Sequence, residues 1–109
     1  MEKGPSTYAE YWTSPYSEVN HFYSHADEFG FTYITDYSKA ALEFANKEGD
    51  NVKSFTANEQ KYGSTYKYDT ETNEFMIISK DGEIVTYFSP TNGEQYFYDQ
   101  FEKWGDYWN

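Results

Sequence analysis

The apolar positions of this chain change period near residue 50, and that change limits the architectures open to it more than any single motif does. Before it, Val19, Phe22, Ala26 and Phe29 recur at spacings of three and four, and Tyr37, Ala40, Ala41, Phe44 and Ala45 repeat the pattern. Such stripes belong to amphipathic helices facing a core. After it the period falls to two in VKSFTA, TYKYD, EFMIIS, EIVTYFS and QYFY, which read as strands whose side chains alternate between faces. Two adjacent helices form a hairpin, and the strands that follow form a sheet for them to cover.

Local signals set the boundaries. Pro15 suits the first turn of the first helix, Ser14 or Ser17 can cap it, Glu18 lies in its first turn, and Gly30 stops it. Around the same helix Glu18, His21, His25 and Glu28 fall on a face beside the apolar stripe. Thr35 or Asp36 caps the second helix, and NKEGDN with Gly49 ends it. TETN, KDG and PTNG divide the strands; Gly82 and Asn92-Gly93 mark tight connections, so consecutive strands pair antiparallel. EFMIIS is apolar on both faces, Phe75 and Ile77 against Met76 and Ile78, as in a central strand. In EIVTYFS, Ile84, Thr86 and Phe88 take one face and Val85, Tyr87 and Ser89 the other. DQFEKWGDYWN reads as a short helix or as an aromatic tail packed back on the sheet. The expected fold is α+β, with two N-terminal helices packed on an antiparallel meander of four to five strands. A chain of 109 residues has room for one core, with an irregular lead over 1–15 and a single domain over 16–109.

Charge narrows the function classes. Nineteen carboxylates against eight lysines and no arginine give a net charge of -11, and so acidic a surface repels nucleic acid at long range. Lys53, Lys61 and Lys67 fall close together in sequence, and folding could gather them into one local basic patch. The 13 Tyr, nine Phe and three Trp suit a core whose rings keep polar tips, and also suit base stacking. With no cysteine there is no disulfide framework, thiolate metal site or Cys nucleophile. No apolar run is long enough to span a bilayer, and the start of the chain has no signal-peptide pattern, so a soluble domain is expected, carried by another segment or a dedicated machine if it is exported.

The only two histidines, His21 and His25, stand one helical turn apart. Such a pair is either an exposed polar face or a working site. H-x-x-x-H also suits a metal ion, but the glutamate and further histidine of H-E-x-x-H are missing, so no metal is expected. The glycines punctuate turns and form no phosphate-cradling loop, and no nucleophile elbow supports Ser-His-Asp catalysis.

HFYSHADEFG, then DYSKAALEF, then YGSTYKYDTETNEFMIISKDGEIVTYFSPTNGEQYFYDQ form an ordered set that resembles the carboxy-terminal toxin domains of bacterial polymorphic, Rhs and contact-dependent inhibition systems. Those run H-F-x-x-H-x-x-x-F-G, an apolar helix, a strand ending Y-D, N-E-F, D-G-x-I-x-T-Y-F-K-P and G-x-x-Y-F, and the likeness spans His21 to Gln100. They are similar to the barnase, colicin D and RelE superfamily of metal-independent ribonucleases. The resemblance implies cleavage of RNA, commonly tRNA, without a cofactor, a cognate immunity protein, and delivery by secretion or contact into the cytoplasm of a target bacterium.

Metal-free RNA cleavage turns the ribose 2′-hydroxyl on the adjacent phosphate, and needs a base, an acid and donors to the phosphoryl oxygens. On the family pattern His25 is the acid or base, with His21 its partner or orienter. Thr86 matches the threonine whose hydroxyl can bond a phosphate oxygen, Lys67 a position that is often basic, and Tyr68 and Tyr87 are candidates for stacking or proton relay. Two positions depart from the pattern: Ser89 stands where F-K-P has lysine, and Ser24 where a lysine precedes the second histidine. Fewer cations then face the phosphate, which leaves room for a host activating factor that presents the RNA. The alternative from a different class is a non-enzymatic acidic interaction module, an immunity protein or nucleic-acid mimic, binding a basic partner.

Overall fold

The computed structural model describes residues 4–58 and 64–109. Its sheet is built on the two-sided strand anticipated above. β1 (Val52–Ala57), β2 (Thr65–Asp69), β3 (Glu74–Ile78) and β4 (Ile84–Phe88) form an antiparallel meander, and β5 (Gly105–Trp108) adds to the far side of β1, giving the order β4-β3-β2-β1-β5. Met76 and Ile78 of β3 face one core with Phe22, Ala26, Tyr37, Ala41 and Phe44. Phe75 and Ile77 face a second with Phe55, Tyr66, Tyr68 and Phe97. Among the described residues no helix is long and apolar enough to cross a membrane.

The first core is covered by α1 (Pro15–Phe29) and α2 (Ile34–Ala45). Ser14 caps α1 by accepting the Ser17 N–H at 3.0 Å, Pro15 takes the first turn, and Gly30 ends the helix in the left-handed region at φ 79°. α2 starts earlier than its sequence signals suggest: Tyr33 is its N-cap without a side-chain bond, and Thr35 and Asp36 lie inside the first turn. Burial of Ile34, 1% exposed, draws that residue into the helix. Glu18 is also corrected. It is wholly buried and does not share the histidines' partly exposed face: its carboxylate accepts the hydroxyls of Ser6 and Ser38 and the N–H of Ser6. These donors come from distant segments, which helix geometry alone does not register. The lead packs as well. It carries a short 3-10 turn (Ala9–Tyr11), and the buried Trp12 makes a parallel bridge to Ile84.

The second core is covered by α3 (Glu94–Trp104), which corrects the strand reading of QYFY. That run is too short to reveal its own period; Phe97, Phe101 and Trp104 together show the spacing of a helix face. At the junction to β5 only glycine fits, since a Cβ at Gly105 would stand 2.2 Å from Cδ1 of Phe101. A second correction concerns Ile84. A register shift between Ile77 and Ile78 pairs Ile78 with Ile84 but Ile77 with Thr86, so Ile84 joins Tyr87 in the first core, on the face opposite Phe88.

The fully buried Phe97 touches Phe55, Tyr68 and Phe75. Phe97→Ala is expected to lower stability by about 3–5 kcal/mol, seen as a lower urea midpoint. A loss below about 1 kcal/mol would show that α3 is peripheral to the core.

Candidate active site

α1 runs beside β4, which is an edge strand. At the start of the helix Ser17 Oγ approaches the carbonyl of Val85 at 3.5 Å; at its end Glu28 Oε1 accepts the N–H of Ser89 at 2.9 Å. Between these two ties His21 and His25 stand on the helix face toward the edge. Their rings lie in a continuous stack, Trp12–His21–His25–Phe88, with centroid separations of 5.6, 5.9 and 5.0 Å.

Each imidazole has Nδ1 engaged. His21 Nδ1 lies 2.7 Å from the Ser17 carbonyl, and since a carbonyl only accepts, Nδ1 is the protonated nitrogen. Burial pushes the pKa of His21 below its usual 6.5; the bond to Ser17 opposes this, and neighbouring His25 adds to the lowering. His25 Nδ1 lies 2.9 Å from Oε2 of Glu28. One carboxylate therefore holds both His25 and the backbone of Ser89.

Ser89 belongs to a second small network. Asn73, in the left-handed region at φ 61°, donates through Nδ2 to Ser89 Oγ and to the Pro90 carbonyl, each at 2.9 Å, and accepts the Tyr68 hydroxyl at 2.5 Å. It clamps the β2–β3 turn to the segment leaving β4. Tyr68 itself stacks on Phe97 at 5.5 Å and is buried.

The remaining candidates divide by strand parity. Thr86 pairs with Ile77 on the α3 side and is half-buried. Lys67 pairs with Met76, which pairs with Tyr87, so both Lys67 and Tyr87 face α1 and α2. Lys67 is 8% exposed, donates to the Ala45 carbonyl at 3.0 Å and lies over the Phe44 ring. Burial pushes its pKa down, with Glu48 opposing and Lys47 adding to the fall. The Tyr87 hydroxyl donates to Glu74 and its ring stacks on Phe29 at 4.8 Å; burial and that carboxylate raise its pKa. The structure thus joins His21, His25 and Ser89 along one edge, ties Tyr68 to Ser89 through Asn73, and leaves Thr86 on the same strand. Lys67 and Tyr87 lie on the face that α1 and α2 cover, while Thr86 and Tyr68 lie on the opposite, α3 face. Nor are Lys53 and Lys67 gathered together: Lys53 pairs with Tyr68 and faces the α3 side, opposite Lys67, because the pleat sends neighbouring rows to opposite faces. Lys61 lies outside the described residues. Among the described residues no three His, Asp or Glu side chains are grouped to hold a metal ion.

Sequence reasoning gave no role to Glu28 or to the Asn73 side chain. The i, i+3 spacing of His25 and Glu28 was a visible signal for the first; nothing local signals that Asn73 reaches Ser89.

No protein-family model matches this chain, and no curated protein matches it. Among solved structures, it shares its fold with a ribonuclease from Escherichia coli complexed with its inhibitor protein, at a TM-score of 0.55 and 18% identity, over 74% of this chain and 95% of that one.

The depressed pKa of His21 has a measurable consequence. Between the folded value and 6.5 the unfolded chain binds more protons at this site than the folded one, so stability rises with pH through that window and falls as pH drops through the folded pKa. In an imidazole NMR titration His21 is expected to protonate below about 6.5, and His21→Gln to lose this part of the pH dependence of stability. A His21 midpoint above about 6.5 would contradict the assignment.

Proposed function

We propose that this chain is a ribonuclease toxin domain that cleaves RNA, with tRNA as the substrate class, by metal-independent transesterification. The observation that carries the reading is the fold shared with a bacterial ribonuclease, together with the stacked histidines on the β4 edge. In this reaction the 2′-oxygen bonds to phosphorus as its proton passes to a base. The phosphorus–5′-oxygen bond breaks as an acid protonates the leaving oxygen, giving a 2′,3′-cyclic phosphate. His25 serves as acid or base and His21, kept neutral by burial, as its partner. The Thr86 and Ser89 hydroxyls are the neutral donors for the phosphoryl oxygens, and Tyr68 shapes the site through Asn73. Lys67 and Tyr87, bonded to the Ala45 carbonyl and the Glu74 carboxylate under the helix pair, are left out of the phosphate site.

The neighbour of known structure was solved with an inhibitor, which supports a cognate immunity protein as the partner of this chain too. With a net charge of -11 and no arginine, that inhibitor is expected to be basic, and a host factor that presents the RNA would compensate for the missing cations. Such a domain would act after delivery into the cytoplasm of a target bacterium.

The test is incubation of the purified chain with total tRNA in EDTA. His25→Ala is expected to cut at least about 100-fold more slowly than the unaltered protein, and full activity in that variant would remove His25 from the chemistry. The acidity also predicts an unusual salt response: cleavage should rise from low to moderate ionic strength as repulsion is screened, where a basic nuclease would slow. The charge keeps one rival reading in view, an acidic module that blocks a basic nuclease. No cleavage, with salt-sensitive binding to such a nuclease that survives loss of both histidines, would favour it.

A further inference from the structure

We propose that Glu28 is a positioning residue for His25, fixing the imidazole in the tautomer protonated at Nδ1 so that Nε2 is the nitrogen presented outward from the β4 edge. The role in catalysis rests on the ribonuclease reading; the tautomer does not.

The geometry leaves little freedom. The Ser89 N–H is a backbone group that can only donate, and it holds Oε1 of Glu28 at 2.9 Å. The carboxylate is thereby oriented, and its other oxygen faces His25 Nδ1 at 2.9 Å. An ionised carboxylate only accepts, so Nδ1 must carry the hydrogen, and the proton on one ring nitrogen decides the chemistry of the other. The ring plane is held from two sides, by Phe88 at 5.0 Å and His21 at 5.9 Å, each tilted 26°. Turning the ring over would set a carbon against the carboxylate. The His25 side chain remains 26% exposed, and Nε2 has no hydrogen-bond partner among the described residues. A neutral His25 so held offers a lone pair at Nε2, ready to take the proton of a 2′-hydroxyl. The charged form offers an N–H there, ready to protonate the departing 5′-oxygen.

Glu28→Gln gives a sharp test because its amide has one acceptor and one donor group. The Ser89 N–H cannot reverse its role, so the amide oxygen stays with Ser89 and the NH2 turns to His25. That NH2 needs an acceptor, which drives the imidazole proton from Nδ1 to Nε2. Long-range proton–nitrogen NMR above the imidazole titration range reads the tautomer directly. The expected result is Nδ1–H in the unaltered protein, Nε2–H in Glu28→Gln, and the mixture of a solvated histidine in Glu28→Ala. With tRNA in EDTA, Glu28→Gln should lower kcat at least about tenfold while KM changes less than about twofold, since a wrong tautomer removes the reacting lone pair. Finding Nε2–H in the unaltered protein, or Nδ1–H retained in Glu28→Gln, overturns the proposal. If the tautomers behave as expected but the unaltered protein cuts no RNA, the positioning role stands and the ribonuclease reading falls.

Discussion

β3 has no polar side, and most of the architecture follows from that. A strand with Met76 and Ile78 on one face and Phe75 and Ile77 on the other must be covered twice. The N-terminal helix pair covers the first face, so the chain must supply another element for the second, and α3 is that element. Aromatic rings fill both layers, from Phe29 on Tyr87 to Tyr68 on Phe97. Three tyrosine hydroxyls find partners there, Tyr87 donating to Glu74, Tyr37 to the Tyr87 carbonyl and Tyr68 to Asn73, whereas the buried Trp12 indole N–H has none among the described residues.

The same arrangement decides what happens at the β4 edge. An open edge exposes unpaired N–H and C=O groups, and folds cover or blunt such edges. Here the Thr13 N–H bonds the Ile84 carbonyl, Ser17 approaches that of Val85, and Glu28 accepts the Ser89 N–H. Two of these edge-sealing residues also hold the histidines, Ser17 through its carbonyl and Glu28 through its carboxylate. Closing the edge and fixing the imidazoles are therefore one structural act. It explains how two imidazoles can be held in place on a helix face that looks, in sequence, like ordinary solvated surface.

That dependence also explains which parts were legible in the sequence. The stripe of α1, its Ser14 cap and Gly30 stop, and the two faces of β3 are local patterns, and local patterns report local geometry. The helical state of residues 94–104 was hidden because its informative period begins in QYFY and ends seven residues after Phe97, at Trp104. Glu18 looked solvated because the serines that bury it, Ser6 and Ser38, are remote in sequence. The faces of Ile84 and Lys67 required the register of three strands, including one bulge, and a shift of one residue exchanges faces. The histidines are visible as a pair; their orientation comes from Ser17 and Glu28, which seal the edge.

The cations complete the picture. Lys47 reaches the buried Asp69, whose carboxyl is pushed up by burial but brought below its usual range by Lys47 and the N–H groups of Thr72 and Glu71. Lys67 is bound to the last turn of α2, where a cation complements the helix dipole. Both are committed to holding the α2 end against β2, two strands from the β4 edge. On the ribonuclease reading, a net charge of -11 works against the approach of RNA at long range, and recognition at the β4 edge falls to short-range donors and to the proton carried by an imidazole. A site of that kind depends on the orientation of each donor more than on total charge, and in this fold orientation is what the sealed edge provides.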